Sequence, residues 1–500
     1  MIREKGKNVL TLSFSSLCVL CVLCGLLFPM IKLLVKALTV DPPQPPLIRG
    51  EKSNLKTGEK NPFKRGENNS LKRRENNSLK RREKRLKNKL YIPIIVLIST
   101  IAIACSKNPT NNQQSPQTIQ LSTFTGIPTT NLNSSCVADY NRSVDYFPNK
   151  TKIDYATGFK VEYGKNYKIV SVINPWQNAN TNFSYILVQC GTPIPQKFTN
   201  QQIQIIEIPV QSTVSLATTY LPYLESLELL DSLIGVSDFK LVNNPRVRKQ
   251  IEKGELIDVG NNQAIDLERI LTLNPDLILA FAMGNSPTEN YSQLQQAGLA
   301  VAINGGYLES HPLGRAEWLK FIALFFNQEA KAEQVFSQTR ERYEQMVKLT
   351  SKLKQKPTVF TGFSYNGTWY VPGGKSYAAR LLADAGANYL WSESNTAGSL
   401  PLDFESVYER AGKAEFWLNV NQEWNSLADV TAEEERYGLF TAFQTGQIYN
   451  NNGRVNQFGG NDYWESGVAN PDVILSDLIQ IFHPEIIENN DFVYYRPLEN

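Results

Sequence analysis

The stretch Asp266-Leu-Glu-Arg-Ile-Leu-Thr-Leu-Asn-Pro-Asp-Leu-Ile-Leu-Ala-Phe281 sets out a helix, a stop and a strand in succession. Its first half carries apolar residues at helical spacing, and Asn274-Pro275 ends that helix because proline pushes the residue before it out of helical backbone. Leu277 to Phe281 is then an unbroken apolar run, the pattern of a strand covered on both faces. The same step recurs outward. Upstream, Ile205-Ile-Glu-Ile-Pro-Val and Thr213-Val-Ser-Leu-Ala predict strands, residues 220–230 a helix, and Leu233-Ile-Gly-Val-Ser the next strand. Downstream, residues 293–297 end a helix before the strand Leu299-Ala-Val-Ala-Ile. Strands alternating with helices predict a mostly parallel sheet layered by helices.

Residues 313–355 interrupt this alternation with a long helical run. Ala332, Val335, Phe336, Tyr343, Met346, Val347 and Leu353 keep the helical period, and Asn327 is expected to cap the second segment. At helical rise, residues 328–354 would measure about 40 Å. Beyond Pro357 the alternation resumes through Thr358-Val-Phe-Thr-Gly, helices over 377–385 and 403–411, Phe416-Trp-Leu-Asn-Val and a final helix from Pro471. The expected fold class is α/β: two Rossmann-like lobes, residues 201–326 and 357–500, joined by a long rigid helix over 327–356.

A different pattern precedes the lobes. Phe159-Lys-Val-Glu-Tyr163, Tyr167-Lys-Ile-Val-Ser-Val-Ile173 and Phe183-Ser-Tyr-Ile-Leu-Val-Gln-Cys190 alternate as strands do, predicting a small antiparallel β segment over 136–200 at the N-terminal side. In an oxidising compartment Cys136 and Cys190 are expected to form one disulfide. Residues 105–135, rich in Asn, Gln, Ser, Thr and Pro, read as a tether.

Residues 1–104 read as a leader. An apolar segment at 9–27 is followed over 50–89 by an eight-residue repeat, as in Arg74-Glu-Asn-Asn-Ser-Leu-Lys-Arg, with too few apolar residues to close a core. Then comes Lys87-Asn-Lys-Leu-Tyr-Ile-Pro-Ile-Ile-Val-Leu-Ile-Ser-Thr-Ile-Ala-Ile-Ala-Cys105, a basic stretch, a short apolar run and small residues before a cysteine. It reads as a lipoprotein signal over 86–104 that leaves Cys105 lipidated. The remainder is expected to be exported and held at the periplasmic face of the cytoplasmic membrane. Although the whole chain is +3, residues 106–500 hold 30 Lys/Arg against 41 Asp/Glu, so the exported part is acidic and nucleic acid is excluded as a partner.

The landmarks Ile265-Asp-Leu-Glu-Arg-Ile-Leu-Thr-Leu-Asn-Pro-Asp-Leu-Ile-Leu279, Gln295-Gln-Ala-Gly-Leu-Ala-Val-Ala-Ile303, Pro312-Leu-Gly-Arg-Ala-Glu-Trp-Leu319 and Leu381-Leu-Ala-Asp-Ala-Gly-Ala-Asn-Tyr-Leu390 come in an order that resembles the periplasmic iron-siderophore and cobalamin binding proteins of ABC importers, across residues 203–487. The resemblance implies two lobes, a ligand held in the cleft between them and small closure on binding. It further implies a monomer that hands a small-molecule iron chelate to a membrane permease, with no cofactor of its own. Within the cleft, Tyr220, Phe281 and Met283 are candidate contacts from the first lobe. Trp369, Tyr370 and Tyr377 face them from a Gly- and Pro-punctuated loop of the second, and Arg454 is the candidate partner for an anionic ligand. Glu465 and Glu289, with Glu309 as competitor, are expected to be surface acids that dock the permease.

Bare-metal capture is excluded because the chain has two histidines, His311 and His483, with no ligand spacing between them. The chelate class stays open among ferric hydroxamate, ferric catecholate, haem and cobalamin. An enzyme reading rests on Ser364 as hydrolase nucleophile with His483 following in chain order, but Asn366 stands where a nucleophile elbow needs its second glycine.

Overall fold

The computed structural model describes residues 121–500 except 180, 200–202, 262–263, 282–285, 488–490 and 500. The signal, the octapeptide repeat, Cys105 and Met283 lie outside the described residues, as does the side chain of Glu289.

Strand β1 (Ser122–Phe124) pairs in parallel with β2 (Ser135–Val137), so the chain is folded well before the expected end of the tether. Polar bonds hold this segment where apolar residues are scarce. Asn131 and Asn149 exchange side-chain and backbone bonds, and Asn327 donates to the Leu132 carbonyl. Cys136 and Cys190 form a disulfide with Cα atoms 4.9 Å apart.

Strands β3 (Phe159–Tyr163), β4 (Tyr167–Ile173) and β5 (Asn182–Gln189) form the antiparallel meander that their alternation predicted. A fourth strand, β6 (Gln204–Ile208), runs parallel to β5 and belongs to this sheet rather than to the lobe that follows. Its period-two burial is the reason: Ile206 and Ile208 are buried while Ile205 and Glu207 are exposed, the signature of a half-covered strand. Phe159 and Tyr185 on the buried face pack on Trp318, Phe321 and Phe325.

The N-terminal lobe contains β7 (Thr213–Ser215), β8 (Leu233–Val236), β9 (Ile257–Asp258), the paired β10 (Gly260–Asn261) and β11 (Ala264–Ile265), β12 (Leu277–Ala280) and β13 (Val301–Ile303). Its main sheet is parallel, in the order β13-β12-β7-β8-β9. Asp266 caps the helix Leu267–Leu273 by accepting from the Arg269 amide, and Asn274, at φ 46°, turns the chain into β12.

The C-terminal lobe contains β14 (Thr358–Thr361), β15 (Ser364–Tyr365), β16 (Thr368–Pro372), β17 (Asn388–Tyr389), β18 (Ser399–Leu402), β19 (Phe416–Leu418), β20 (Ile448–Asn450) and β21 (Arg496–Pro497). The order β17-β14-β19-β20-β21 is parallel but for the last strand, and β15-β16-β18 form a separate antiparallel sheet.

Two helices run between these sheets. Pro312–Phe326 is buried on nearly all sides, and Asn327, at φ 57°, terminates it. Asn327 was expected to cap the next helix. Instead its side chain donates to the Leu132 carbonyl and Gln189 Oε1 and accepts from Lys168 Nζ. The helix Glu329–Thr350 then carries Ala332 in the core of the first lobe and Phe336 and Tyr343 in that of the second.

Charges buried along these helices are paired. Lys168 Nζ sits 2.5 Å from Glu329 Oε1 with both side chains essentially inaccessible, and burial lowers the lysine's pKa. Glu317 accepts from the amides of Asp154, Tyr155 and Ala156, and Glu309 from those of Thr157 and Gly158 and from Trp318 Nε1. Glu309 is therefore not a surface docking acid: it is buried, and its carboxylate is filled by these donors.

Candidate functional site

A cavity of about 400 Å³ opens beyond the C-terminal ends of β7, β8 and β12, where loops leave a parallel sheet and ligands are ordinarily bound. Thr218, Thr219, Tyr220 and Tyr223 line it after β7, Ser237, Asp238 and Leu241 after β8, and Phe281 after β12. Asn304, Tyr307 and Arg315 add a further wall, while Trp464 and Val468 come from the C-terminal segment. Tyr220 and Phe281, two of the expected contacts, are thus among its lining residues.

The tyrosine hydroxyls that reach this wall are already engaged. Tyr220 donates to the Ala280 carbonyl at 3.1 Å and Tyr223 to the Arg315 carbonyl at 3.0 Å. Burial pushes both phenols well above their ordinary pKa. They are neutral donors with their protons committed, which suits packing against a ligand's outer surface and disfavours ionisation to bind iron directly.

Two other groups have donors to spare. Asn304 is 5% exposed; its Oδ1 accepts from the Gly306 amide, which fixes the amide's orientation, and among the described residues Nδ2 meets no acceptor. Arg315 stacks its guanidinium 3.9 Å over the Tyr377 ring and donates from Nη2 to the Tyr307 carbonyl, while among the described residues its buried Nε meets no acceptor. Among the described residues no carboxylate lies within ion-pairing distance of it. Such unpaired donors are costly when buried, so a ligand oxygen is the partner they fit.

Sequence reasoning singled out neither residue. Arg315 was the signal available: on a helix whose other faces are almost wholly apolar, a cation needs a partner, and Lys320 has Glu317 and Glu333 whereas Arg315 has the cavity.

The remaining candidates are placed elsewhere. Trp369 is a core residue: it is fully buried among Phe360, Phe404, Trp417, Tyr437 and Phe440 and donates from Nε1 to the Thr361 carbonyl. Gly and Pro flank a strand here, and alternation along β16 drives Trp369 inward and leaves Tyr370 outward, 52% exposed. Tyr377 is not among the lining residues, but Arg315 stacks on its ring. Arg454 does not line the cavity; it is ion-paired at 3.2 Å with Asp462. Glu465 is 1% exposed, so it is not a docking acid on the surface either. Its carboxylate accepts from the Asn243 and Asn244 amides at 2.8 and 2.6 Å, and burial raises its pKa to about 7 against the opposing pull of those amides. Ser364 and His483 engage separate partners: the Ser364 amide meets the Tyr437 hydroxyl, and the His483 ring meets the Gly386 carbonyl.

Among the described residues no cluster of metal-ligating side chains occurs, and no helix is long and apolar enough to cross a membrane.

The chain is similar to several known proteins. An uncharacterised lipoprotein of Methanocaldococcus jannaschii is 25% identical over 387 residues, 71% of this chain and 87% of its own. A vitamin B12-binding protein of Vibrio vulnificus is 37% identical over 93 residues, 19% of this chain and 31% of its own. Among solved structures, a possible iron-binding periplasmic solute-binding protein of Staphylococcus epidermidis covers 55% of this chain and 98% of its own at a TM-score of 0.44 and 18% identity. A periplasmic heme binding protein of Pseudomonas aeruginosa covers 58% and 99% at 0.44 and 19%. The family model of the periplasmic binding proteins matches residues 214–453, from β7 to the loop after β20. The small sheet β3–β6 and the segment carrying Trp464 and Glu465 lie outside that match; the stretch between them is similar to the periplasmic binding proteins.

Proposed function

We propose that the protein is the solute-binding lipoprotein of an ABC importer, anchored through Cys105, and that it captures an intact ferric-siderophore-type chelate for delivery to the permease. The observation that carries this reading is the cavity itself: rings from Tyr220, Tyr223, Phe281, Tyr307 and Trp464 surround two unpaired donors, Asn304 Nδ2 and Arg315 Nε. Apolar walls accept a chelate's outer surface, and the donors meet its oxygens. One cation beside one acid, Asp238, leaves the cavity near neutral, which favours a hydroxamate or mixed citrate-type chelate over a triply anionic catecholate.

A corrinoid is the second reading, because relatives named vitamin B12-binding proteins share a 93-residue stretch with this chain. Trp464 borders the cavity and is half exposed, so its emission reports occupancy. Titration with ferrioxamine, ferric citrate, cyanocobalamin and haemin is expected to quench that emission saturably for an iron chelate, and Trp464→Phe is expected to remove most of the change. Saturable quenching by cyanocobalamin alone selects the second reading. No saturable response to any of the four overturns both.

A further inference from the structure

The segment from Val455 to Ala469 leaves the C-terminal sheet after β20 but does not stay with that lobe. Tyr463 is buried among Tyr494 and Tyr495 of the C-terminal core, whereas Val468 belongs to the apolar core of the N-terminal lobe. Between them Trp464 and Val468 supply the cavity's wall from this side. The segment is an arm laid across one flank of the cleft.

Three contacts fasten it to the loop that leads into the helix Pro245–Glu252. Glu465 takes the amides of Asn243 and Asn244. Asn456 Nδ2 donates to the carbonyls of Lys240 and Val242, each at 3.0 Å. Gly460 lies directly on Leu241, where an added Cβ would come within 2.5 Å of that residue's carbonyl oxygen. Leu241 is itself a lining residue, so the fastening joins both walls of the cavity at one point.

We propose that Glu465 is a positioning residue for the ligand cavity: its carboxylate clasps the 456–468 arm to the N-terminal lobe and so sets Trp464 and Val468 against Leu241. The inference rests on the cavity being the ligand site. The charged groups around the clasp are Asp462 on the arm, held by Arg454, and Glu225, which accepts from Asn244 Nδ2 at 2.7 Å. Neither supplies a cation to Glu465, so its holding contacts come from Asn243 and Asn244.

The test needs no ligand, which separates its failure from failure of the functional reading. Hydrogen exchange is followed residue by residue in the intact protein, in Glu465→Ala and in Glu465→Gln, together with the emission maximum of Trp464. In Glu465→Ala, exchange at Asn243 and Asn244 is expected to quicken roughly ten- to hundredfold, with a red shift at Trp464 and unchanged protection in β12 and β19. Glu465→Gln, which keeps one acceptor oxygen, is expected to fall between. Gly460→Ala, which lifts the arm without touching the carboxylate, is expected to give the same local pattern should Glu465→Ala fail to fold. Unchanged exchange at Asn243 and Asn244, or an equal loss of protection in β12 and β19, overturns the proposal. If the clasp is confirmed and no probe binds, the functional reading fails and the clasp stands.

Discussion

Among the described residues, Asn304 Nδ2 and Arg315 Nε are donors without acceptors in a buried wall, a situation that costs about 1–3 kcal/mol per group until something fills it. Their removal should therefore weaken ligand capture more than it weakens the fold. For an iron chelate identified by titration, Arg315→Ala is expected to raise the dissociation constant at least about tenfold, while the melting temperature shifts little; the ratio of the two effects is read from parallel titration and thermal unfolding. Glu465 gives the complementary case. Its pKa rises from 4.5 to about 7 on folding, so between these values the folded chain binds more protons than the unfolded one. Stability from this group is then greatest below the unfolded value and declines as pH climbs toward 7, by at most about 1.4 kcal/mol per unit. Urea titrations over that range should show the decline reduced in Glu465→Gln. At this scale the sequence was least legible. Tyr220 and Phe281 reach the cavity wall because they lie in the loops after β7 and β12, whereas Trp369 and Glu465 were misjudged because residue type and loop composition say nothing of which neighbours close over a side chain.

Elements were read more securely, because their signals are local. Asp266, Asn274 and the apolar run after it specify cap, stop and strand without help from distant residues. The failures came where a distant partner decides. Strand β6 was assigned to the wrong sheet, the β15-β16-β18 sheet was not foreseen, and Asn327 ends one helix instead of starting another because Lys168, Gln189 and Leu132 occupy its side chain. The Lys168–Glu329 pair ties the small sheet to the long helix, and its energetics are asymmetric. Glu329→Ala should cost about 3–5 kcal/mol by leaving a buried ammonium unpaired, whereas Lys168→Met combined with Glu329→Leu should cost much less. Denaturant midpoints of the two variants check the order. Reduction of the Cys136–Cys190 bond should likewise lower stability by about 2–5 kcal/mol.

For the molecule as a whole, the two mostly parallel sheets were legible because strand and helix alternate on either side of the helical run. What escaped the sequence was the relation of the N-terminal sheet to the rest. Trp318, Phe321 and Phe325 receive that sheet on one side and belong to the same apolar core as Leu221, Leu224 and Leu277. We expect the sheet and the N-terminal lobe to unfold in one transition, so hydrogen exchange in β4 and β12 should converge on the same opening free energy; separate values would show independent units.

The grip of Glu317 and Glu309 on five successive amides, residues 154–158, bears on how the protein is to be handled. An expression boundary drawn at residue 201, where the recognisable lobes begin, would strip those amides away and strand two carboxylates and a tryptophan face in the cut surface. Such a fragment should precipitate or stay unfolded, and a well-behaved version of this protein should retain residues 154–158 together with the β1–β2 pair before them.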